Sequence, residues 1–288
     1  MTAPDYRGAT AASIRHHYDV SDDFYALWLD SGMTYTCALW AEGDTLEAAQ
    51  KRKLDYLAAG ARVSGARRVL DVGCGWGSML EQLVTVHGVR HAVGLTLSDS
   101  QAAHLAGRRL PHTEVRVENW IDHRPDEPYD AIVSIGAFEH FASTGLPRAE
   151  RVAAYREFFE RCHDWLPARG RIALQTNIKG NNVRMSRQAV RDLIFICETI
   201  FPESEIPALS EVIESSEKLF DVVSLRNDPD HYRRTCQEWY DRLRRNRAEA
   251  VGHAGEVTVA HYERYLGSAV GHFRDRHLGL ARIVLEAV

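Results

Sequence analysis

Cysteine is scarce and shows no pairing pattern: Cys37, Cys74, Cys162, Cys197 and Cys236 are widely spaced, odd in number and free of any CxxC. That distribution argues against a disulfide framework and against a thiolate metal site, so no metal is expected and a reducing cytoplasm is the expected location. Long apolar runs are missing as well. No segment approaches the ~20 residues of a membrane-spanning helix, and the N-terminal "MTAPDYRGATAASIRHHYD" has no apolar core of signal-peptide length. Nor is there an excess of positive charge: 35 Lys and Arg stand against 40 Asp and Glu, a formal net charge of -5. Nucleic acid is therefore not an expected partner, because phosphate recognition needs concentrated cations. No internal repeat, low-complexity tract or Gly/Ser linker interrupts the chain, which argues against a second independent unit.

What is present is an ordinary globular composition, 45% hydrophobic and 26% charged over 288 residues, suited to one elaborated domain. "HHYDVSDDFYALWLD" reads as a short helix capped by Ser21, with Asp22 and Asp23 in its first turn. "DTLEAAQKRKLDYLAAGARV" reads as a longer helix opened by Asp44 and Glu47 in capping-box spacing. Strands and helices then alternate: "RRVLDVG", "SMLEQLVTVHG", "HAVGLTL" and "SDSQAAHLAGRRL", the last with a Ser98/Gln101 box. The alternation runs on through "TEVRVEN", "YDAIVSIGAF", a helix over 147–166 and the strand "RIALQTNI". It predicts a doubly wound α/β fold with a parallel sheet covered on both faces. After Ile178 the rhythm gives way to a predicted lid of three helices. The expected layout is an N-terminal helical segment (1–65), a cofactor-binding core (66–178), a helical substrate-binding insertion (179–275) and a terminal strand (276–288).

The most specific local signal is "VLDVGCGWGSML", where a strand ending at Asp71 and Val72 runs into Gly73, Gly75 and Gly77 before a helix. Such a loop lets the backbone turn sharply and approach a nucleotide-type ligand. Its spacing is GxGxG rather than the dinucleotide GxGxxG, and no GKS or GKT supplies a phosphate-binding lysine. S-adenosylmethionine, which carries no pyrophosphate, fits better.

The segments "HYDVSDDFYALWLDSGMTYTCALW", "LDVGCGWG", "VGLTLSDSQ", "SIGAFEHF" and "HYRRTCQEWYDRL" follow one another over nearly the whole chain. Together they resemble the cyclopropane fatty acid synthase family of S-adenosylmethionine-dependent enzymes. The likeness is nearest to the compact mycolic acid cyclopropane synthases and related C-methyltransferases, isoprenyl diphosphate C-methyltransferases included. The resemblance implies a class I, Rossmann-like methyltransferase fold with N-terminal helices and an added helical lid. It implies that Tyr35, Thr36, Gly73, Gly75, Thr96, Gln101, Trp120 and Ile121 surround the cofactor, with Asp71, Leu97 and Ile135 beside them. The acidic residue that generic relatives place after the second strand is missing from "GLTLS", a peculiarity the family shares. Thr96 as a mere strand end and Trp120 as a core aromatic remain the plainer alternatives.

The same resemblance assigns Glu139, which ends the apolar run "VSIGAF", to the active site with Tyr232 and the Cys37 turn, around a bound bicarbonate. When an alkene carbon attacks the sulfonium methyl, positive charge develops on the neighbouring carbon, which a buried anion and aromatic faces stabilise before a base removes a proton. The alternative for Glu139 is a helix N-terminal carboxylate satisfied by backbone amides. His140 is either catalytic or packed. The family histidine falls at Gln175, which can donate a hydrogen bond but cannot shuttle a proton, and a family cysteine falls near Ala269. The tunnel region here reads "NIKGNNVRMSRQAVRDLIF", with Lys179, Arg184, Arg187 and Arg191. These read either as a solvated basic face or as a diphosphate-binding cluster. The expected function is C-methylation of an alkene, with a small isoprenoid diphosphate such as isopentenyl diphosphate as the preferred substrate. Unsaturated acyl chains on phospholipid or carrier protein are the alternative. Further alternatives are N-methylation of a small amine and non-catalytic cofactor binding. Association into a homo-oligomer is left open.

Overall fold

The computed structural model describes residues 6–18 and 20–288, with the backbone alone at 16–18. Five strands follow the predicted alternation: β1 (Val69–Val72), β2 (Ala92–Thr96), β3 (Thr113–Val117), β4 (Ala131–Ile135) and β5 (Arg171–Lys179). β1, β2 and β4 are buried at every position, which is the signature of parallel strands covered on both faces. They pair in parallel, and the whole sheet runs β3-β2-β1-β4-β5 before two further strands. Because β1 pairs with β2 on one side and β4 on the other, the chain leaves β1 and β4 in opposite directions. A crevice opens beyond their carboxyl ends, where doubly wound sheets take their ligands.

The helices are α1 (Ala11–Tyr18), α2 (Asp22–Ala26), α3 (Leu46–Gly60), α4 (Ser78–Thr85), α5 (Asp99–Arg108) and α6 (Arg148–Trp165). Ser21 caps α2 by accepting from the Phe24 amide, and Ser98 caps α5 by accepting from the Gln101 amide. α3 departs from expectation at its start. Thr45, not Asp44, is its cap, because the Asp44 carboxylate is already held by the Ala41 amide and Arg52.

The region over 179–275 is not wholly helical. It holds α7 (Arg187–Phe195), a π-turn (Ile196–Ile200), α8 (Leu209–Ser216), the strand β6 (Phe220–Asn227), α9 (Pro229–Arg245), α10 (Arg247–Ala254) and α11 (Glu256–Arg274). β6 was not expected because most of its residues are exposed on the sheet edge, so no buried alternation marks it. It pairs antiparallel with β7 (Leu278–Ala287), and β7 pairs antiparallel with β5. The helix expected from Asp228 to Val251 is divided into α9 and α10 at Asn246, whose side chain donates to the Leu27 carbonyl. Among the described residues no helix is long and apolar enough to cross a membrane.

Three apolar clusters hold these parts. α6 packs Tyr155, Phe158 and Phe159 against Phe138 and the sheet, while α3 and α4 bury Leu54, Leu57, Leu80 and Leu83 on the other face. The third cluster joins distant segments: Phe24, Tyr25 and Trp28 of the N-terminal region meet Trp239 of α9 and Tyr262 of α11. The Tyr25 and Tyr262 hydroxyls lie 2.6 Å apart, and the Trp28 and Trp239 rings meet edge to face with centroids at 5.8 Å. The N-terminal helix thus braces the lid, and "TYTC" lies between that cluster and the crevice.

Candidate active site

The loop after β1 forms the floor of a cleft. Gly73 and Cys74 donate their amides to the Leu95 carbonyl at 3.0 and 2.9 Å, which ties the loop to β2. Gly75 has φ +54°, and a Cβ there would meet no atom within 4 Å, so it would stand in open space at the cleft. Across the cleft Gly136, with φ +70°, lets the backbone after β4 approach Thr36; a Cβ would lie 2.8 Å from the Thr36 methyl. The cleft is lined by Tyr35, Thr36, Asp71, Gly73, Gly75, Thr96, Leu97, Gln101, Trp120 and Ile135, all singled out from the sequence. Ile121 is not among them; it is buried in the core beneath, because the turn at "ENWID" directs it inward.

Where a generic relative would have an acidic residue after β2, Thr96 donates its hydroxyl to Gln101 Oε1 at 2.7 Å. With Oε1 engaged, the Gln101 amide is held with its NH2 as the remaining donor for a ribose or adenine edge. Asp71 is buried, its Oδ1 has no hydrogen-bond partner among the described residues, and burial pushes its carboxyl up to about 7. An orphaned buried carboxylate oxygen and a glycine floor fit a ligand with a cationic group, as S-adenosylmethionine has.

Lys53 of α3 also lines the cleft and escaped the sequence reading. It is fully buried, donates to Thr36 Oγ1 at 2.9 Å, and burial pulls its ammonium down to about 7. A signal was present: Lys53 falls on the same helical face as Leu46, Ala49, Gln50 and Leu57, all buried.

A second cavity meets the cleft at Tyr35, Thr36, Gly136 and His140, which line both. Glu139 stands in its wall on a short 3₁₀ turn (Phe138–His140) after β4. Its Oε1 accepts from the Asn177 amide at 2.6 Å, whereas Oε2 is buried and has no hydrogen-bond partner among the described residues. Burial raises its pKa. One carboxylate oxygen is thus held by a backbone amide of β5 rather than by the 3₁₀ turn alone. Tyr232 of α9 lines the same cavity, with its ring stacked on Phe273 at 4.5 Å between centroids. Phe201 and Tyr265 add a further edge-to-face pair. His140 contacts Ser204 Oγ at 2.7 Å through Nδ1, and burial lowers its pKa to about 4, so it is neutral at pH 7.

Cys37 and Gln175 stand behind the cavity wall rather than among its lining residues. The Cys37 thiol is pushed up to about 11 by burial, so it is no nucleophile at neutral pH. Both residues are organised by Arg282, a fully buried arginine in the middle of β7 that the sequence reading did not single out. Arg282 donates to Gln175 Oε1 at 2.8 Å, to the Cys37 and Ala38 carbonyls at 3.3 and 3.0 Å, and pairs with Asp228 at 2.5 Å. With Oε1 engaged as acceptor, the amide is held in one orientation, its NH2 on the side away from Arg282. A lone cation inside "LGLARIVLEA" was the signal that could have found it.

The expected basic cluster does not form at either cavity. Arg187 and Arg191 share a face of α7 with Val190 and Ile194, and that face points to solvent while Leu193 and Phe195 turn inward. Arg184 is exposed, and Lys179 is exposed and paired with Glu205 at 2.5 Å. Replacing Arg187 and Arg191 together with Leu is expected to leave both cofactor affinity and turnover within about twofold, as for exposed positions, Arg191 donating only to Gln188 on its own helix among the described residues. Calorimetry and steady-state rates check this, and a large rise in substrate KM would restore them to the site.

Comparisons with known proteins follow the same lines. The family model described as mycolic acid cyclopropane synthetase matches residues 7–283. Cyclopropane mycolic acid synthase 2 of Mycobacterium leprae is 35% identical over 291 residues, covering 95% of this chain and 92% of the relative. The solved structure of the cyclopropane synthase MmaA2 from Mycobacterium tuberculosis matches with a TM-score of 0.89 at 31% identity, covering 97% of this chain and 99% of that one. The mycolic acid cyclopropane synthase CmaA1, complexed with SAH and CTAB, matches with a TM-score of 0.89 at 33% identity, covering 98% and 100%.

Proposed function

This chain belongs to the mycolic acid cyclopropane synthetase family and is an S-adenosylmethionine-dependent methyltransferase, and from that premise we propose that its acceptor is the alkene of an unsaturated acyl chain. The observation that carries the reading is the second cavity. Its wall is mainly aliphatic and aromatic, with Thr36, His140, Asn177 and Ser204 as neutral polar groups and Glu139 as a carboxylate, and among the described residues neither Lys nor Arg lines it. A diphosphate would lose its hydration there without gaining a cation, at a cost of several kcal/mol. An alkyl chain loses nothing of the kind. This replaces the isoprenoid diphosphate as preferred substrate, whose support lay in arginines that face solvent.

Bound S-adenosylmethionine supplies an electrophilic methyl group. The protein's own groups do the rest. Tyr35, Thr36, Gly136 and His140, common to cleft and cavity, bring acceptor and donor together. As positive charge develops on the alkene, the Glu139 carboxylate and the rings of Tyr232, Tyr265 and Phe201 lower its energy. Glu139 Oε2, unpaired and made more basic by burial, is placed to take the departing proton. Removing bicarbonate from the buffer tests whether a bound anion shares this role with Glu139. Loss of the proton from the transferred methyl closes a cyclopropane; loss from a neighbouring carbon leaves a methylated alkene. Five free cysteines, four of them buried, support the proposal of a reducing, cytoplasmic setting.

The test is incubation with labelled S-adenosylmethionine and a panel of unsaturated acyl phospholipids, acyl carrier proteins and prenyl diphosphates. A product one CH2 heavier on an acyl chain is expected, with NMR deciding between ring and alkene. Transfer to prenyl diphosphates alone would overturn the acyl reading.

A further inference from the structure

Within the largely apolar strand β7, the guanidinium of Arg282 is fully buried and its three nitrogens reach three separate segments. Nε donates to Gln175 Oε1 on β5, the residue directly opposite in the sheet. Nη2 donates to the Cys37 and Ala38 carbonyls of the "TYTC" turn, and Nη1 to Asp228 Oδ2 at the start of α9. Each of these segments carries part of the second cavity. Two residues on from Gln175, the Asn177 amide holds Glu139 Oε1, and the Gln175 carbonyl itself accepts from the Gly136 amide at 2.8 Å. Thr36, next to Cys37, lines cavity and cleft, and Tyr232, one helical turn after Asp228, lines the cavity. Holding β7 in the sheet does not need the side chain, because its backbone already pairs with β5 and β6 along its length. Nor does Asp228 need it as a counter-ion, since the other carboxylate oxygen accepts from Arg226 at 3.0 Å. A buried guanidinium is costly to desolvate and adds little net stability, but its planar fork fixes several directions at once.

We propose that Arg282 is a positioning residue that decides which proton the reaction loses, and so which product forms. Among the described residues it lines neither cavity, so it acts through the three segments it joins. The inference rests on the acyl-alkene reading and goes beyond it by assigning the choice of product. After methyl transfer the cation can lose a proton from the transferred methyl, the C–H pair becoming the third bond of a ring, or from a neighbouring carbon, the pair becoming a double bond. In both cases the proton passes to an acceptor in the cavity wall. The competing hydrogens are only a bond or two apart, so a shift of about 1 Å between Glu139, the "TYTC" turn and Tyr232 is enough to change the outcome. A three-way clamp removes that freedom.

The test compares wild type, Arg282→Met and Arg282→Lys on the unsaturated acyl substrate that wild type uses best, with labelled S-adenosylmethionine and NMR of the products. Both variants are expected to raise the share of the minor product, ring or methylated alkene, by about fivefold or more, and to lower kcat by roughly 10- to 100-fold. Affinity for S-adenosylhomocysteine, read by calorimetry, should stay within about threefold, because Gln50 and Lys53 still hold Thr34 and Thr36 from the cleft side. Lysine keeps the charge beside Asp228 but has no fork, so it should recover thermal stability without recovering the product ratio. The ratio separates positioning from propping: partial unfolding lowers the rate of a sample, yet leaves the products of each folded molecule unchanged. Should Arg282→Met not fold, the ratio made by Arg282→Lys decides. An unchanged ratio would overturn the proposal, as would full recovery of rate and ratio by Arg282→Lys, since the charge and not the fork would then matter. If wild type transferred no methyl to any acyl chain, the acyl reading itself would fail.

Discussion

Glu139→Gln is expected to lower turnover by roughly 100-fold or more, the scale of a lost electrostatic or proton-accepting group, while cofactor binding and fold persist. The substitution keeps the side chain's shape and its Oε1 contact to the Asn177 amide, but replaces the unpartnered Oε2 with an NH2. A developing cation would then face a donor dipole where it had a charge. Tyr232→Phe should also slow the reaction, by less, because the ring remains and only the hydroxyl is lost. If both act on one charge or one anion, the double variant will fall short of the product of the two losses. Bicarbonate depletion sharpens the result: should wild type slow and Glu139→Gln not, the anion is the proton acceptor and Glu139 its partner. Near-normal turnover by Glu139→Gln at saturating S-adenosylmethionine would reduce the carboxylate to a structural contact with β5.

Gly75→Val should abolish measurable cofactor binding without unfolding the protein. At φ +54° a β-branched residue is strained by about 1–3 kcal/mol, a cost a domain of this size can absorb. Its side chain would stand in the cleft where the ligand must approach the backbone. Gly75→Ala should lie between the two, since alanine tolerates this conformation better and adds one carbon. Calorimetry reads the affinity and circular dichroism the fold. A folded Gly75→Val protein with wild-type affinity would place the cofactor elsewhere.

The sequence alone was enough for features set by short-range physics. Alternating apolar segments and caps at Ser21 and Ser98 determined the βα order, because helix and strand periods and cap geometry are local. The "VLDVGCGWG" turn and the unusual carboxylate after "VSIGAF" pointed to the cleft for the same reason: backbone curvature and a charge behind an apolar run are visible in a few residues. What needed the tertiary structure depends on partners far apart in sequence. The direction of Arg187 and Arg191 follows from which face of α7 the neighbouring elements cover, and no local pattern states it. β6 exists as a strand because β7 offers it an edge. Arg282 orients Gln175 across 107 residues, and Tyr25 meets Tyr262 across 237. Lys53 shares the apolar face of α3, yet its burial beside the "TYTC" turn and the glycine loop is set only in the packed molecule. Desolvation, which decides whether a charge is an ornament of the surface or part of a site, is a property of the packed molecule.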